Sequence, residues 1–371
     1  MTALQIVGGL VLLILGGDWL VRGASRIAVA MRLSPLVIGL TVVAFGTSAP
    51  ELAVSIQAAL AGNAGVSIGN VVGSNIVNLL VVLGSASLIS PLIVTGRLAR
   101  FDLPILIAAS LGLGIAAMDG RLSLIEGIVM FAALIAYLVY SIRKCRRDHP
   151  DEATCEIPGV ANADPINGEP ADAGTTEPIR WRRSLPFQAV LLLVGLATLS
   201  FGADLLVTGA TTVARALGVS DLVIGLTVVA IGTSLPEVVT SLVAAAKGER
   251  DLAVGNVVGS NLFNILCVLG LTATVSGATG SPIEVAPSAI GFDIPIMIAI
   301  TLICWPLFWT GGLITRPEGM LMLVYYGLYN AVMIGRSIDA PWLPALQTIA
   351  LVIVVISLVA IGESVRRFVR R

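Results

Sequence analysis

The strongest constraint on this chain is an internal repeat. Residues 34–84 align without a gap with residues 220–270 at an offset of 186, and 31 of the 51 aligned positions are identical. Shared hydrophobicity alone does not produce so close a match. The similarity extends back to Asp18 and Asp204, and forward to the strings that begin at Phe101 and Phe292. The chain therefore consists of two equivalent halves related by a symmetry operation.

Both halves are too apolar for a water-soluble protein. Of the 371 residues, 56% are hydrophobic and 12% are charged, whereas soluble chains carry about 25% charged residues. A run of about 20 apolar residues crosses the hydrocarbon core of a bilayer as a helix. The sequence therefore predicts an all-α integral membrane protein. Its eleven spans are predicted near 4–21, 36–60, 66–90, 103–118, 123–142, 187–208, 222–246, 252–275, 290–311, 318–335 and 344–361.

One long polar segment separates the halves. Residues 143–186 have basic ends and an acidic middle rich in Pro, Gly and Ala, a composition that buries too little apolar surface to order itself. We predict a flexible cytoplasmic linker here, between five-helix repeats at 1–142 and 187–335, with an extra helix and a basic cytoplasmic tail at 336–371. The first span lacks the basic flank and cleavage site of a signal peptide, so we expect it to be retained.

An odd number of spans per repeat places the second copy in the membrane with the opposite orientation. With the N-terminus outside, 19 of the 22 Lys and Arg residues face the cytoplasm, and only Arg121, Arg215 and Arg336 do not. This asymmetry obeys the positive-inside rule. We therefore predict inverted repeats and a plasma-membrane protein, in the inner membrane if the cell is Gram-negative. Parallel repeats with an even span count are the alternative, and they would break the charge asymmetry.

Composition also limits the partners. A net charge of −1 without a clustered basic face gives no field to attract nucleic acid. The four cysteines show no metal-ligand spacing, and those in the linker segment, Cys145 and Cys155, are expected to be reduced thiols. The lipid bilayer is the one large partner that the sequence predicts.

Two polar strings interrupt the spans of each repeat. The first reads GTSAPE at 46–51 and GTSLPE at 232–237, and the second reads GNVVGSNIVN at 69–78 and GNVVGSNLFN at 255–264. A glutamate in mid-span costs about 2.5–3.5 kcal/mol on insertion scales, and its default interpretation is functional. Glu51 and Glu237 are therefore the first candidates for a site.

A proline precedes each glutamate. Pro50 lacks the N–H that would bond the carbonyl of Gly46, and Pro236 is its counterpart, so each helix is predicted to kink or unwind there. Carbonyls freed inside a membrane persist only where protein, water or an ion satisfies them. Further polar residues lie four positions from the glutamates or from each other, on the same helix faces: Thr47, Thr233, Ser74, Asn78, Ser260 and Asn264.

These groups combine two carboxylates with hydroxyl, amide and carbonyl oxygens and no soft ligand. Calcium takes about six to eight oxygen ligands, whereas transition metals prefer His or Cys. Two carboxylates balance one divalent or two monovalent ions, so the pattern favours exchange of hard cations. The simpler interpretation is that Ser, Thr and Asn only pack the helices, which is the commoner role for a single such residue.

Six other duplicated acids are left out of the predicted site. Four lie near span ends, where capping is a sufficient explanation: Asp18, Asp204, Asp102 and Asp293. Glu126 and Glu318 lie in first helical turns, where the helix dipole favours an acid. The acidic linker lacks the ligand spacing of an EF-hand, so a calcium-sensing role for it is the weaker hypothesis.

The paired strings resemble the α-repeats of the sodium/calcium exchanger family, of the prokaryotic type, within the cation/Ca²⁺ antiporter superfamily. The similarity covers both five-span repeats. It implies a ten-helix core with a central ion site formed by the second and third helices of each repeat, and it leaves the eleventh helix outside that core. By motif position, the implied ligands are the carbonyls of Ala44 and Ala230 and the side chains of Thr47, Ser48, Glu51, Ser74, Asn78, Thr233, Ser234, Glu237, Ser260 and Asn264.

Two departures from the family pattern bear on the counter-ion. Some members have Asp where this chain has Asn264, and potassium-dependent relatives place an acid in this region, so Asn in both copies disfavours potassium coupling. The proton-coupled branch carries a glutamate in the Gly-Asn string, which neither copy has. The resemblance therefore implies sodium as the counter-ion.

We expect a secondary antiporter that exchanges Ca²⁺ for Na⁺ by alternating access, with no cofactor and with a monomer sufficient for transport. A channel would instead repeat its filter residues around an axis normal to the membrane. An intramembrane hydrolase would need a nucleophile and base or an Asp dyad. The only histidine, His149, lies in the linker, which removes Ser–His chemistry, so we expect no enzymatic activity.

Overall fold

A computed structural model describes residues 2–31, 33–63, 65–148, 184–217 and 230–369. In the first half, the helices are α1 (Thr2–Met31), α2 (Pro35–Thr47), α3 (Ala49–Leu60), α4 (Gly65–Ile89), α5 (Leu98–Asp119) and α6 (Leu124–Asp148). Two short strands, β1 (Leu92–Ile93) and β2 (Arg121–Leu122), flank α5.

The second half repeats this order. Its helices are α7 (Leu185–Ala216), α8 (Ala230–Thr233), α9 (Leu235–Ala246), α10 (Arg250–Ala278), α11 (Ala289–Asp293 continued by Ile294–Gly311) and α12 (Arg316–Ser337). Strands β3 (Ile283–Glu284) and β4 (Leu313–Ile314) flank α11. A last helix, α13 (Leu343–Val369), packs against α11 and α12.

Helices occupy every predicted span within the described residues, and the first part of the seventh span, near 222–229, lies outside them. By length and composition, seven described helices can cross a membrane, or eight if the bent pair α2 and α3 forms one span. The protein is therefore a multi-pass membrane protein. Most of the predicted linker also lies outside the described residues, but α6 continues to Asp148 and α7 begins at Leu185.

The first helices of the two halves cross in antiparallel fashion through glycines. A Cβ atom placed on Gly9 would lie 2.8 Å from the carbonyl oxygen of Gly202, and one on Gly16 would lie 2.8 Å from that of Gly195. Residue numbers rise along α1 while those of its contacts fall along α7, so the two helices run in opposite directions. Such small residues let the two backbones touch. The crossing therefore holds these equivalent helices side by side in opposite directions.

The strands give the same result independently. Strand β1, at the start of α5, pairs with β4 at the end of α11, and β2, at the end of α5, pairs with β3 at the start of α11. Helices α5 and α11 are equivalent in the repeat, so the start of each lies beside the end of the other. The prediction of inverted repeats is confirmed, and the parallel alternative is wrong.

Burial separates central from peripheral helices. The apolar window of α10 is completely buried inside the protein and that of α4 is 72% buried, whereas those of α1, α5, α6, α7 and α11 are only 22–33% buried. The two helices that carry the Gly-Asn strings therefore form the centre of the bundle, and the other five present most of their apolar surface outward, where a bilayer would cover it.

The capping explanation for the four duplicated aspartates is wrong. Asp102 is fully buried and makes no side-chain cap, and it accepts a hydrogen bond from the Tyr137 hydroxyl at 3.0 Å. Asp293 likewise accepts from Tyr329 at 3.1 Å. Asp18 and Asp204 lie in the interiors of α1 and α7, respectively, and not at the helix ends. These acids were misread because the helices extend well beyond the predicted apolar spans.

The placement of Glu126 and Glu318 in first helical turns is confirmed. The Glu126 carboxylate accepts from the backbone N–H and the hydroxyl of Ser123 at 2.7 and 2.8 Å, and Glu318 forms the equivalent capping box with Thr315. Both acids lie in the first turn of their helices, as expected from the helix dipole.

Candidate functional site

Both glutamates lie at a break in their helices. Helix α2 ends at Thr47, α3 begins at Ala49, and the two bend by 42° at Ser48. Pro50 then occupies a first-turn position of α3, where a missing N–H costs nothing. The second half repeats the break at Ser234, ahead of Pro236. As a result, Glu51 and Glu237 each lie in the first turn of a new helix, at its positive end.

The two carboxylates are completely buried, with 0% exposure. Each accepts a hydrogen bond from the helix break of the other repeat. The Ser48 hydroxyl lies 3.4 Å from Oε1 of Glu237, and the Ser234 hydroxyl lies 3.4 Å from Oε1 of Glu51. The Ser74 hydroxyl is 3.5 Å from the same oxygen of Glu51. The two halves of the site therefore interlock across the pseudo-two-fold axis.

The threonines also cross between repeats. The Thr47 hydroxyl lies 3.2 Å from Oδ1 of Asn256 and 3.2 Å from the hydroxyl of Ser260. Its counterpart Thr233 donates to Oδ1 of Asn70 at 3.5 Å. Each threonine thus lies between the break in one repeat and the Gly-Asn helix of the other.

Asn78 and Asn264 are fully buried, and each begins a π-helical turn, Asn78–Val82 in α4 and Asn264–Leu269 in α10. Such turns inside α-helices are frequently found at functional sites. The amide nitrogen of Asn78 donates to Oδ1 of Asn261 at 3.0 Å, and that of Asn264 donates to Oδ1 of Asn75 at 3.1 Å.

The buried oxygens that receive no hydrogen bond from the described residues include four in this site, and these four form two symmetric pairs: Oε2 of Glu51 and Glu237, and Oδ1 of Asn78 and Asn264. Buried acceptors of this kind are costly unless something binds them. Two are carboxylate oxygens and two are amide oxygens, which suit a hard cation. The described part of the chain holds no group of three or more His, Cys, Asp or Glu side chains that could hold a metal ion.

The two alanines contribute backbone only. The Ala44 carbonyl accepts from the N–H of Ser48 at 3.0 Å and faces the Thr47 hydroxyl at 3.4 Å. Ala230 is the first described residue after the gap, and the N–H of Ser234 bonds to Ile231 rather than to Ala230. The other ten predicted ligands lie in the breaks of both repeats and on the facing turns of α4 and α10.

Sequence reasoning missed the residues that support these ligands. Asn70 donates to the Glu51 carbonyl at 3.3 Å and to the Ser55 hydroxyl at 3.1 Å, and Asn256 donates to Ser241 at 3.1 Å. Asn75 and Asn261 join the two central helices. All six residues are identical at the offset of 186, and this was the signal that could have identified them.

Comparisons with known proteins agree with this geometry. The sequence matches the sodium/calcium exchanger protein family over residues 1–143 and 187–335. CaxA of Alkalimonas amylolytica is 39% identical over 325 residues, covering 86% of this chain and 95% of the relative. The sodium/calcium exchanger MaX1 of Methanosarcina acetivorans is 34% identical over 351 residues, covering 88% and 96%.

A solved structure supports the same assignment. The sodium-calcium exchanger NCX_Mj, soaked with Na⁺ and Sr²⁺, superimposes with a TM-score of 0.70 at 32% identity, over 90% of this chain and 97% of that one. Its family comprises transporters and not enzymes. The chain described above, with its inverted repeats and paired buried glutamates, belongs to the sodium/calcium exchanger family.

Proposed function

We propose that this protein exchanges Ca²⁺ for Na⁺ across the membrane by alternating access at one central site. The ligands would be the twelve residues that the sequence predicts, with Glu51 and Glu237 supplying the charge. The observation that carries the proposal is the symmetric set of four buried oxygens that no described donor satisfies. The family supports cation/Ca²⁺ antiport in general, and this oxygen set supports the specific site.

The charge of the site favours exchange over simple binding. Two ionised glutamates balance one Ca²⁺, and they balance two Na⁺ equally well. Either occupant removes the cost of two buried like charges, whereas an empty site does not. A site that is stable only when loaded favours reorientation with an ion bound, which is the requirement for coupled antiport.

The inverted repeats supply a route to alternating access. Each repeat contributes one break, one glutamate and one Gly-Asn helix, and the two copies run in opposite directions through the membrane. If the two repeats exchange conformations, a path that is open on one side closes as the equivalent path opens on the other. All predicted ligands come from a single chain, so a monomer would be sufficient.

Sodium is the proposed counter-ion because the ligand set is rich in neutral oxygens. Thr, Ser and Asn side chains can coordinate a bare Na⁺, but a proton would leave them without a role. Asn at both 78 and 264 also leaves the site without a further acid.

A binding competition tests whether both ions use this site. Radioactive Ca²⁺ bound to the purified protein should be displaced by Na⁺ with a sigmoidal dependence, because at least two Na⁺ replace each Ca²⁺. Choline at equal ionic strength is the control and should displace little. Ca²⁺ binding that responds equally to Na⁺ and choline would rule out a shared site.

We further propose that the N-terminus faces outward and that the linker and C-terminus are cytoplasmic, since this places 19 of the 22 Lys and Arg residues inside. A single cysteine at position 160, in a background without the native cysteines, should resist an impermeant thiol reagent in intact cells and react after lysis. Labelling in intact cells would reverse the assigned orientation.

A further inference from the structure

Two asparagines that are not among the predicted ligands hold the centre of the bundle together. Asn75 on α4 and Asn261 on α10 are each 1% exposed. The Asn75 amide nitrogen donates to the backbone carbonyl of Asn261 at 3.5 Å, and the Asn261 amide nitrogen donates to that of Asn75 at 3.3 Å. The pair therefore forms a reciprocal contact across the pseudo-two-fold axis.

This contact fixes the orientation of both amide groups. A backbone carbonyl can only accept a hydrogen bond, so the atom facing it must be the NH₂ group and not the oxygen. The second N–H of Asn75 is also engaged, since its nitrogen lies 3.6 Å from the Met297 sulfur. Oδ1 of each asparagine must then be the other terminal atom of the amide, and it points away from the Nδ2 contact.

The orientation passes to the candidate ligands. Oδ1 of Asn75 can only accept, so the Asn264 atom that faces it at 3.1 Å must be the NH₂ group. The same reasoning applies to Asn261 and Asn78 at 3.0 Å. In consequence, Oδ1 of Asn78 and of Asn264 are left without a described donor. A reversed amide would present NH₂ in their place, and NH₂ repels a cation.

We propose that Asn75 and Asn261 are positioning residues that force Asn264 and Asn78, respectively, to offer oxygen rather than nitrogen to the ion. This inference rests on the proposed function, in which Asn78 and Asn264 are ligands. Its distinctive feature is that each positioning residue acts on the opposite repeat, although Asn75 lies only one turn from Asn78 on the same helix.

The substitution Asn75→Leu tests this with little change in volume. It removes the acceptor for Asn264 but keeps the Asn75 backbone carbonyl, so the orientation of Asn261, and with it that of Asn78, is preserved. Ca²⁺ affinity should fall by about tenfold, the lower end of the effect of losing an outer partner of a metal ligand. Asn261→Leu is the matched variant in the other repeat, and it serves as the test if Asn75→Leu fails to fold.

A double-mutant cycle distinguishes orientation from local damage. Once Asn264→Ala has removed the ligand, adding Asn75→Leu should weaken Ca²⁺ binding by less than about twofold, because no amide remains to be oriented. In a background that carries Asn78→Ala, which lies on the same helix as Asn75, adding Asn75→Leu should still lower Ca²⁺ affinity by its full amount. Equilibrium binding of Ca²⁺ to each purified variant, with thermal unfolding as the folding control, measures these couplings.

The possible failures are separable. If the wild-type protein does not bind Ca²⁺, the proposed function fails. If wild type binds and Asn75→Leu binds equally well, the positioning role is wrong. A loss in Asn75→Leu that couples to Asn78→Ala instead of Asn264→Ala would show a structural defect of α4 and would also overturn the inference.

Discussion

Replacing Glu51 or Glu237 by glutamine should abolish Ca²⁺ transport and leave the protein folded. Both carboxylates are fully buried, and glutamine keeps their shape. In Glu51→Gln, Oε1 can still accept from Ser74 and Ser234, so the interlocked breaks should persist. The other oxygen becomes an NH₂ group that points a donor at the ion, and half of the site's charge is lost.

The expected loss is large. Removing an outer partner of a metal ligand costs about 10–100-fold in affinity, so replacing a charged ligand should lower Ca²⁺ uptake by more than about a hundredfold. Uptake of radioactive Ca²⁺ into reconstituted vesicles measures this effect. Thermal unfolding of the purified variants shows whether the fold is retained.

Glu126→Gln is the matched control for this prediction. Glu126 is also a glutamate in the first turn of a membrane helix, but it forms a capping box with Ser123 outside the site. Glutamine serves equally well at that position of a capping box, so transport should remain near the wild-type rate. Wild-type uptake in either site variant, or an equal loss in Glu126→Gln, would contradict the assignment.

The inverted architecture was predictable from the sequence because an odd number of spans in a repeat leaves no other arrangement. The packing that builds it was not predictable. Gly9 and Gly16 contact Gly202 and Gly195, but no sequence pattern in α1 identifies α7 as the helix that packs against it. The four strands, at two residues each, are too short to produce an alternating pattern in the sequence.

The ion site was predictable to the extent that its residues break a rule of membrane spans. Glu51 violates the apolar pattern and Pro50 the helical one, so both stand out. Asn75 and Asn261 break neither rule, because an amide side chain in a membrane helix most often only packs against a neighbouring helix. Their role appears only when the two central helices are placed side by side, since each acts on the opposite repeat.

The role of the buried acids away from the site was not predictable from the sequence. Asp102 was assigned to a helix cap because it precedes Pro104 near a predicted span end. The helix instead begins earlier, at Leu98, as a π-helical turn, which carries Asp102 inside the bundle to Tyr137. Apolar runs locate the middle of a membrane helix well and its ends poorly, because helices continue into polar sequence.

The most direct test of the central claim is the ion that drives Ca²⁺ out of loaded vesicles. With purified protein in the vesicles, efflux should require external Na⁺, and should be faster with an inside-negative potential if more than two Na⁺ enter for each Ca²⁺. A K⁺ gradient or a pH gradient without Na⁺ should support little exchange, because neither copy of the site holds an acid beyond its one glutamate. Robust Ca²⁺ efflux driven by the pH gradient alone would contradict sodium coupling at this site and favour proton exchange.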